Sequence, residues 1–244
     1  FFSEIIITNH VIYFNRRSIF IYRKNKKPFT VTLTRDVIKV QSVKFEAKGD
    51  VGYIRISTFS DGTGDKVKQA IQDLTKTIGS DKLKGFVLDL RNNPGGLLDE
   101  AVAVSDLFLD KGEIVSTRSR APEDTLRFSA KEGDETKGLP LVVLINEGSA
   151  SASEIVSGAL QDHKRAVVAG LKSFGKGSVQ SVRQIPGFGS IKLTTARYYT
   201  PSGNSIQAKG ITPDVEIPRA KLEVYPVLTG YSEENLEGAL DLDH

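Results

Sequence analysis

The 244-residue chain predicts an α/β fold with a largely parallel sheet. Apolar strand-like runs alternate with amphipathic helical stretches across residues 51–170. Glycine and polar residues gather where those runs end rather than inside them, and residues 178–217 change to hairpin patterning. Strand–helix–strand alternation of this kind is the signature of layered α/β architecture, and β-rich patterning after it predicts a second, mainly antiparallel part.

Element by element, FTVTL (Phe29–Leu33) and VIKVQSVKF (Val37–Phe45) alternate as strands on either side of Thr34-Arg35-Asp36. VGYIRIS (Val51–Ser57) alternates again. Val67, Ile71, Leu74 and Ile78 recur at spacings of four and three, an amphipathic helix closed by Gly79. GFVLDL (Gly85–Leu90) reads as a short buried strand, LLDEAVAVSDLFLD (Leu97–Asp110) as a helix, and EIVSTRSR (Glu113–Arg120) as a strand. LPLVVLIN (Leu139–Asn146) is the most apolar run and is expected at the centre of the sheet. SASEIVSGALQDH (Ser151–His163) follows as a helix, then RAVVAG (Arg165–Gly170) as a further buried strand. Hairpin signals occur at Pro186–Gly189 and Pro201–Asn204.

The ends of the chain differ from this body. Residues 1–28 are dominated by Phe, Ile, Asn, Tyr, Lys and Arg and contain no Gly, an atypical N-terminal segment. Residues 219–244 are acidic and are expected to form a solvated tail. Phe1 to Tyr22 is interrupted by Glu4, His10, Arg16 and Arg17, so it does not read as a transmembrane span.

Composition excludes several chemistries. The charge balance, 33 Lys+Arg against 30 Asp+Glu, is spread along the chain and predicts no nucleic-acid-binding face. The absence of Cys removes disulfides, thiolate metal sites and Cys nucleophiles. The three His (His10, His163, His244) are too scattered for a zinc motif, and none is placed to serve as a catalytic base. Ser151 and His163 would stand about 18 Å apart along an unbroken helix.

Two turns after predicted strands carry the candidate chemistry, since sites in α/β sheets form at the carboxyl ends of strands. Arg91-Asn92-Asn93-Pro94-Gly95-Gly96 follows the Gly85–Leu90 strand. By itself it reads first as a tight connection, and second as a glycine turn aiming backbone N–H groups at a ligand or oxyanion. Asn146 to Glu154 (NEGSASASE) joins the most apolar strand to a helix. Its serines are either helix caps or include an exposed nucleophile at the positive end of the helix dipole. A base is then required, and Lys176 in Ser173-Phe174-Gly175-Lys176-Gly177-Ser178 is the candidate, through desolvation that lowers its pKa. A solvated loop Lys is the competing reading. Gly170–Gly177 falls short of a phosphate-binding loop because Gly177 stands where Ser or Thr would hold Mg²⁺, so no nucleotide is expected. Ser173–Lys176 spells S-x-x-K, but the glycines flanking Lys176 argue against the helix such a pair requires.

Taken together, LDLRNNPGGLL, LVVLINEGSASASEIVSGALQDHKRAVVAG, SFGKGSVQ and ARYYTPSGNSIQAKGITPDVEI closely resemble the carboxyl-terminal processing peptidases, or tail-specific serine proteases, over roughly residues 30–218. The resemblance implies a spiral of strand–helix–strand units akin to the crotonase and Clp-protease folds. It implies Ser151 as nucleophile, Lys176 as general base, Gln180 as the residue holding that Lys, and the N–H groups of Gly96 and Ala152 as the oxyanion hole. No metal or organic cofactor is implied. Substrates would be unfolded or tail-exposed proteins with apolar C-termini, in a bacterial periplasm or cell envelope, and homo-oligomerisation is left open. The resemblance divides the chain into residues 29–48 as the last strand of a PDZ domain with its link, and residues 49–218 as the protease core. The rest of that PDZ domain is expected to be missing or truncated, since no Gly before Gly49 is available for its carboxylate-binding loop. Two further functions stay open: an inactive, truncated remnant of the same fold acting as a binding module, and a crotonase-like acyl-CoA enzyme. The latter lacks a recognisable CoA site and carboxylate base.

Overall fold

The computed structural model describes residues 16–23, 26–34 and 41–220. Internal packing divides the chain into two units, one ending at Gln41 and one beginning at Ser42. In the first, β1 (Arg16–Ile21) and β2 (Phe29–Thr34) pair antiparallel, with Arg16 opposite Thr34 and Ile21 opposite Phe29. The predicted Val37–Val40 stretch lies outside the described residues, and the strand pattern resumes at β3 (Val43–Lys48).

The second unit contains the predicted parallel sheet. It is built from β3, β4 (Val51–Ile56), β5 (Gly85–Asp89), β8 (Leu141–Ile145), β9 (Val167–Gly170) and β12 (Val215–Glu216), in the order β12-β9-β8-β5-β4-β3. Every neighbouring pair is parallel except β3–β4. Three helices alternate with these strands: α1 (Thr63–Ile78), α2 (Leu98–Asp106) and α3 (Ala152–Asp162). Ile54, Ile56, Phe86, Leu88, Val143, Ile145 and Val168 are buried with the apolar stripe of α1 (Val67, Ala70, Ile71, Leu74) and with Ile155, Val156, Ala159 and Leu160 of α3. Their strand neighbours Tyr53, Val87, Val142 and Leu144 are only half-buried, so the core lies on one side of the sheet. Gly79 ends α1 as its pattern predicts, donating its N–H to the Thr75 carbonyl at 3.0 Å.

Three elements depart from the sequence reading. The helix expected over Leu97–Asp110 stops at Asp106. There the chain tightens into i→i+3 bonds, Phe108 N–H to Ser105 O and Leu109 N–H to Asp106 O, which turn both side chains into the core. The Glu113 strand, β6 (Glu113–Arg118), does not join the parallel sheet, because β8 takes the place beside β5. It forms an antiparallel sheet instead with β7 (Leu126–Ser129), β10 (Ser178–Ile185) and β11 (Gly189–Tyr199), in the order β10-β11-β6-β7. Finally β9 is only partly buried, with Val168 and Ala169 enclosed and Val167 47% exposed. The hairpin expected at Pro186–Gly189 joins β10 to β11. The turn expected at Pro201–Asn204 also forms, Gly203 N–H donating to Thr200 O, but an isolated Tyr199–Ser205 bridge is all the pairing that directly follows it. No helix among the described residues is long and apolar enough to cross a membrane.

Candidate active site

The two turns singled out in the sequence meet at the carboxyl ends of β5 and β8. Asn93, fully buried, joins them. Its side-chain amide donates to Ile56 O at the end of β4 and its Oδ1 accepts the Gly95 N–H, both at 2.9 Å. Its carbonyl accepts the Ala150 N–H and the Ser153 hydroxyl, also at 2.9 Å each. Asn92 and Asn146 form a reciprocal clasp beside it: Asn92 N–H donates to Asn146 Oδ1, and Asn146 Nδ2 donates to Asn92 Oδ1. Ser149 Oγ accepts the Asn146 N–H and donates to Leu90 O. Two of the three serines are therefore consumed structurally, Ser149 in tying β5 to β8 and Ser153 in binding Asn93.

Ser151, the remaining serine, holds the N-cap position of α3 at φ 55°, ψ −111°. A non-glycine residue in that conformation stores about 1–3 kcal/mol of strain and persists only where its surroundings impose it. The surroundings are Gly95 and Glu154. A Cβ on Gly95 would lie 2.7 Å from Ala150 O, 2.8 Å from Ser151 Cβ and 2.9 Å from the Ala152 nitrogen, so only glycine permits the two turns to approach this closely. Gly96 is pinned against the other neighbour: a Cβ there would come within 2.0 Å of Phe59 O, and Phe59 brackets the turn by donating to Gly95 O and accepting from Leu97 N–H. Among the described residues, neither the Gly96 N–H nor the Ala152 N–H donates to a protein acceptor.

Glu154 is the residue that sequence reasoning passed over. Its fully buried carboxylate accepts four hydrogen bonds. Oε1 takes the Ser173 hydroxyl and the Gly175 N–H, each at 2.6 Å. Oε2 takes the Ser151 N–H at 2.7 Å and the Lys176 N–H at 2.8 Å. Four donors match the lone-pair capacity of a carboxylate. The visible signal was the Ser-x-x-Glu spacing of Ser151 and Glu154, a capping box. The loop carrying Lys176 is thereby fastened to the turn carrying Ser151. Ser173 Oγ also accepts the Ile211 N–H at 2.6 Å, and Gly175 sits at φ 91°, so Ser173 and Lys176 share no helical turn, as the flanking glycines predict.

The Lys176 side chain is exposed in the free chain. Burial of this side chain by the fold itself, expected from the sequence, is not found. Gln180 lies on β10 and is also exposed. Among the described residues, neither the Lys176 amine nor the Gln180 side chain has a hydrogen-bond or ion-pair partner. His163 is remote from this chemistry, at the C-cap of α3 with Nε2–H on the Glu113 carbonyl at 2.7 Å.

Below the first turn lies a second buried carboxylate, Asp89, whose side chain has no exposure. It accepts from Tyr53 Oη, from Arg55, and from Arg91 through both the guanidinium and the main-chain N–H. Burial pushes this carboxyl up, while the Arg91 and Tyr53 hydrogen bonds and the Arg91 charge outweigh it, so it is held below its ordinary value. The arrangement fixes where β5 ends and the Arg91–Gly96 turn begins.

A strained serine, two amides without a protein acceptor and a lysine on a loop tied to the serine's turn are parts suited to acyl transfer. Residues 50–217 match the model of peptidase family S41. The chain is 55% identical over 210 residues to a carboxy-terminal-processing protease of Bartonella bacilliformis, covering 85% of this chain and 48% of that protein. It is 41% identical over 199 residues to a probable CtpA-like serine protease of Staphylococcus epidermidis, covering 81% and 40%. It thus spans about half the length of these relatives or less. Among solved structures it resembles the photosystem II D1 C-terminal processing protease, with a TM-score of 0.67 and 33% identity over 82% of this chain and 55% of that one. The chain belongs to peptidase family S41.

Proposed function

We propose that this chain carries the catalytic core of a carboxyl-terminal processing serine endopeptidase working through a Ser151–Lys176 dyad. The observation that carries the reading is the shared anchoring of Ser151 and Lys176 on one oxygen of Glu154, beside the unpaired Gly96 and Ala152 amides. Neutral Lys176 accepts the Ser151 hydroxyl proton as Oγ attacks the scissile carbonyl. The oxyanion is received by the Gly96 and Ala152 N–H groups. Lys176 then passes the proton to the leaving amine, giving an acyl ester on Ser151. Water, deprotonated by Lys176, hydrolyses that ester and restores the serine. A bound polypeptide supplies the cover that the free chain lacks over the Lys176 amine, lowering its pKa by desolvation. Gln180 orients that amine once the cover is in place. We further infer unfolded or tail-exposed protein substrates with apolar C-termini and a bacterial envelope location.

The test is cleavage of an unfolded protein with an apolar C-terminus, followed by mass spectrometry from pH 6 to 10. Ser151→Ala and Lys176→Ala are each expected to lower kcat/KM by at least about 10³-fold. Cleavage undiminished in either variant removes that residue from the mechanism. A folded chain that cleaves nothing would favour the inactive binding remnant.

A further inference from the structure

The four sheet edges of the second unit are guarded unequally. β12 has two residues, and β3 presents Lys44, Glu46 and Lys48, all exposed. β7 has four residues, with Arg127 paired to Glu113. Short strands and charges are the usual protection against pairing with a further chain. β10 has neither: it runs for eight residues with Arg183 as its one charge and no proline, and its outer edge is unpaired among the described residues.

The β10–β11 ribbon also projects beyond its own sheet. β6 pairs only with Arg197–Tyr199 of β11, so the rungs from Gln180–Thr194 to Ile185–Gly189 are two strands wide. A two-stranded ribbon is marginal by itself, and a third strand would complete it. Side chains opposite one another share a face, which puts Ser181, Arg183 and Ile185 of β10 on one side, with Leu193 and Ile191 of β11 behind the first two. The β11 edge is free only in its outer part, whereas the β10 edge is continuous to Ser178, two residues from Lys176.

We infer that the free edge of β10 is the track on which the substrate polypeptide docks, as an added β-strand whose side chains on that face lie beside Ser181, Arg183 and Ile185. This rests on reading Ser151 and Lys176 as the peptidase site. The partner is an extended, unfolded chain with free backbone amides, which a folded domain does not offer. Main-chain pairing supplies affinity with little sequence demand, and the strand leads the bound chain to the dyad.

The test uses one probe, an unstructured twelve-residue peptide ending in apolar residues. Hydrogen exchange on the Ser151→Ala chain is expected to slow at least tenfold at alternate amides of residues 178–185 when the peptide is added. With the wild-type chain, N-methylation of alternate peptide amides in one phase is expected to lower kcat/KM at least tenfold, and in the other phase less than threefold. Peptide cleaved with β10 exchange unchanged overturns the docking track and leaves the peptidase reading standing. β10 amides already protected without peptide also overturn it. No cleavage of any peptide overturns the peptidase reading and the track with it.

Discussion

Ser151 and Lys176 donate their main-chain N–H groups to the same atom, Oε2 of Glu154, at 2.7 and 2.8 Å. They stand 25 positions apart in sequence, separated by α3 and β9, yet one buried carboxylate sets the register between the two loops. The other oxygen, through Ser173 and Gly175, stiffens the loop just before Lys176. A displacement of about 1 Å in catalytic geometry is enough to cost about 100-fold in rate.

Glu154→Gln keeps the shape and halves the acceptors. Whichever way the amide sits, two buried donors face an NH₂ group, at about 1–3 kcal/mol for each unsatisfied group. We expect the melting temperature to fall by about 5 °C, and kcat/KM by roughly 10- to 100-fold, mainly in kcat. Ser173→Thr retains the hydroxyl that bridges Glu154 and Ile211 N–H and should act within about twofold of wild type, whereas Ser173→Ala should not. Thermal melts and steady-state kinetics check both. Unchanged melting and kcat in Glu154→Gln would remove Glu154 from its role as anchor.

Gly95→Ala tests the close approach of the two turns. The added methyl meets the Ala150 carbonyl and Ser151 Cβ, at a φ of 101° that an alanine rarely adopts. Expected are a loss of roughly 2 kcal/mol of stability and a drop in kcat/KM of at least about 100-fold, since the Ala152 amide is displaced with the turn. Urea unfolding and peptide cleavage report the two effects separately. A variant with wild-type kinetics would show that the turns tolerate separation.

Asp89 makes a pH prediction with a definite sign. Its folded-state pKa is lowered, so its contribution to stability is complete above the ordinary Asp value of about 3.9 and is lost as pH falls through the folded-state value. Asp89→Asn removes that contribution and should cost on the order of 2 kcal/mol at pH 7. The difference in unfolding free energy between wild type and variant should be flat above about pH 5 and shrink below about pH 4. Denaturant titrations between pH 3 and 7 would measure it, and a difference that grows on acidification contradicts the assigned role.

The parallel sheet and the position of both turns were legible because local pattern carries them. The alternating run Val51–Ile56, the continuous apolar run Leu141–Ile145 and the stripe Val67, Ile71, Leu74 match the observed elements closely. The pairing of β6 was not legible, since a strand's apolar pattern says which faces are covered and nothing about which edge it joins. The end of α2 was missed for a related reason: Phe108 and Leu109 fit a helix by composition, and the core draws them into a tighter turn.

For the site, the sequence alone determined the ingredients: three serines at a strand-to-helix turn, a glycine pair after β5, one lysine between glycines, and no usable histidine or cysteine. Tertiary structure decided among them. It assigned Ser149 and Ser153 to scaffolding, left Ser151 strained and half-exposed, and fastened its turn to the Lys176 loop through Glu154. It also left the Lys176 amine in water, and opened the edge of β10. The division has a physical cause. Periodicity and turn chemistry act over a few residues and are written locally, whereas hydrogen bonds between loops 22 or 60 positions apart exist only once the chain has folded.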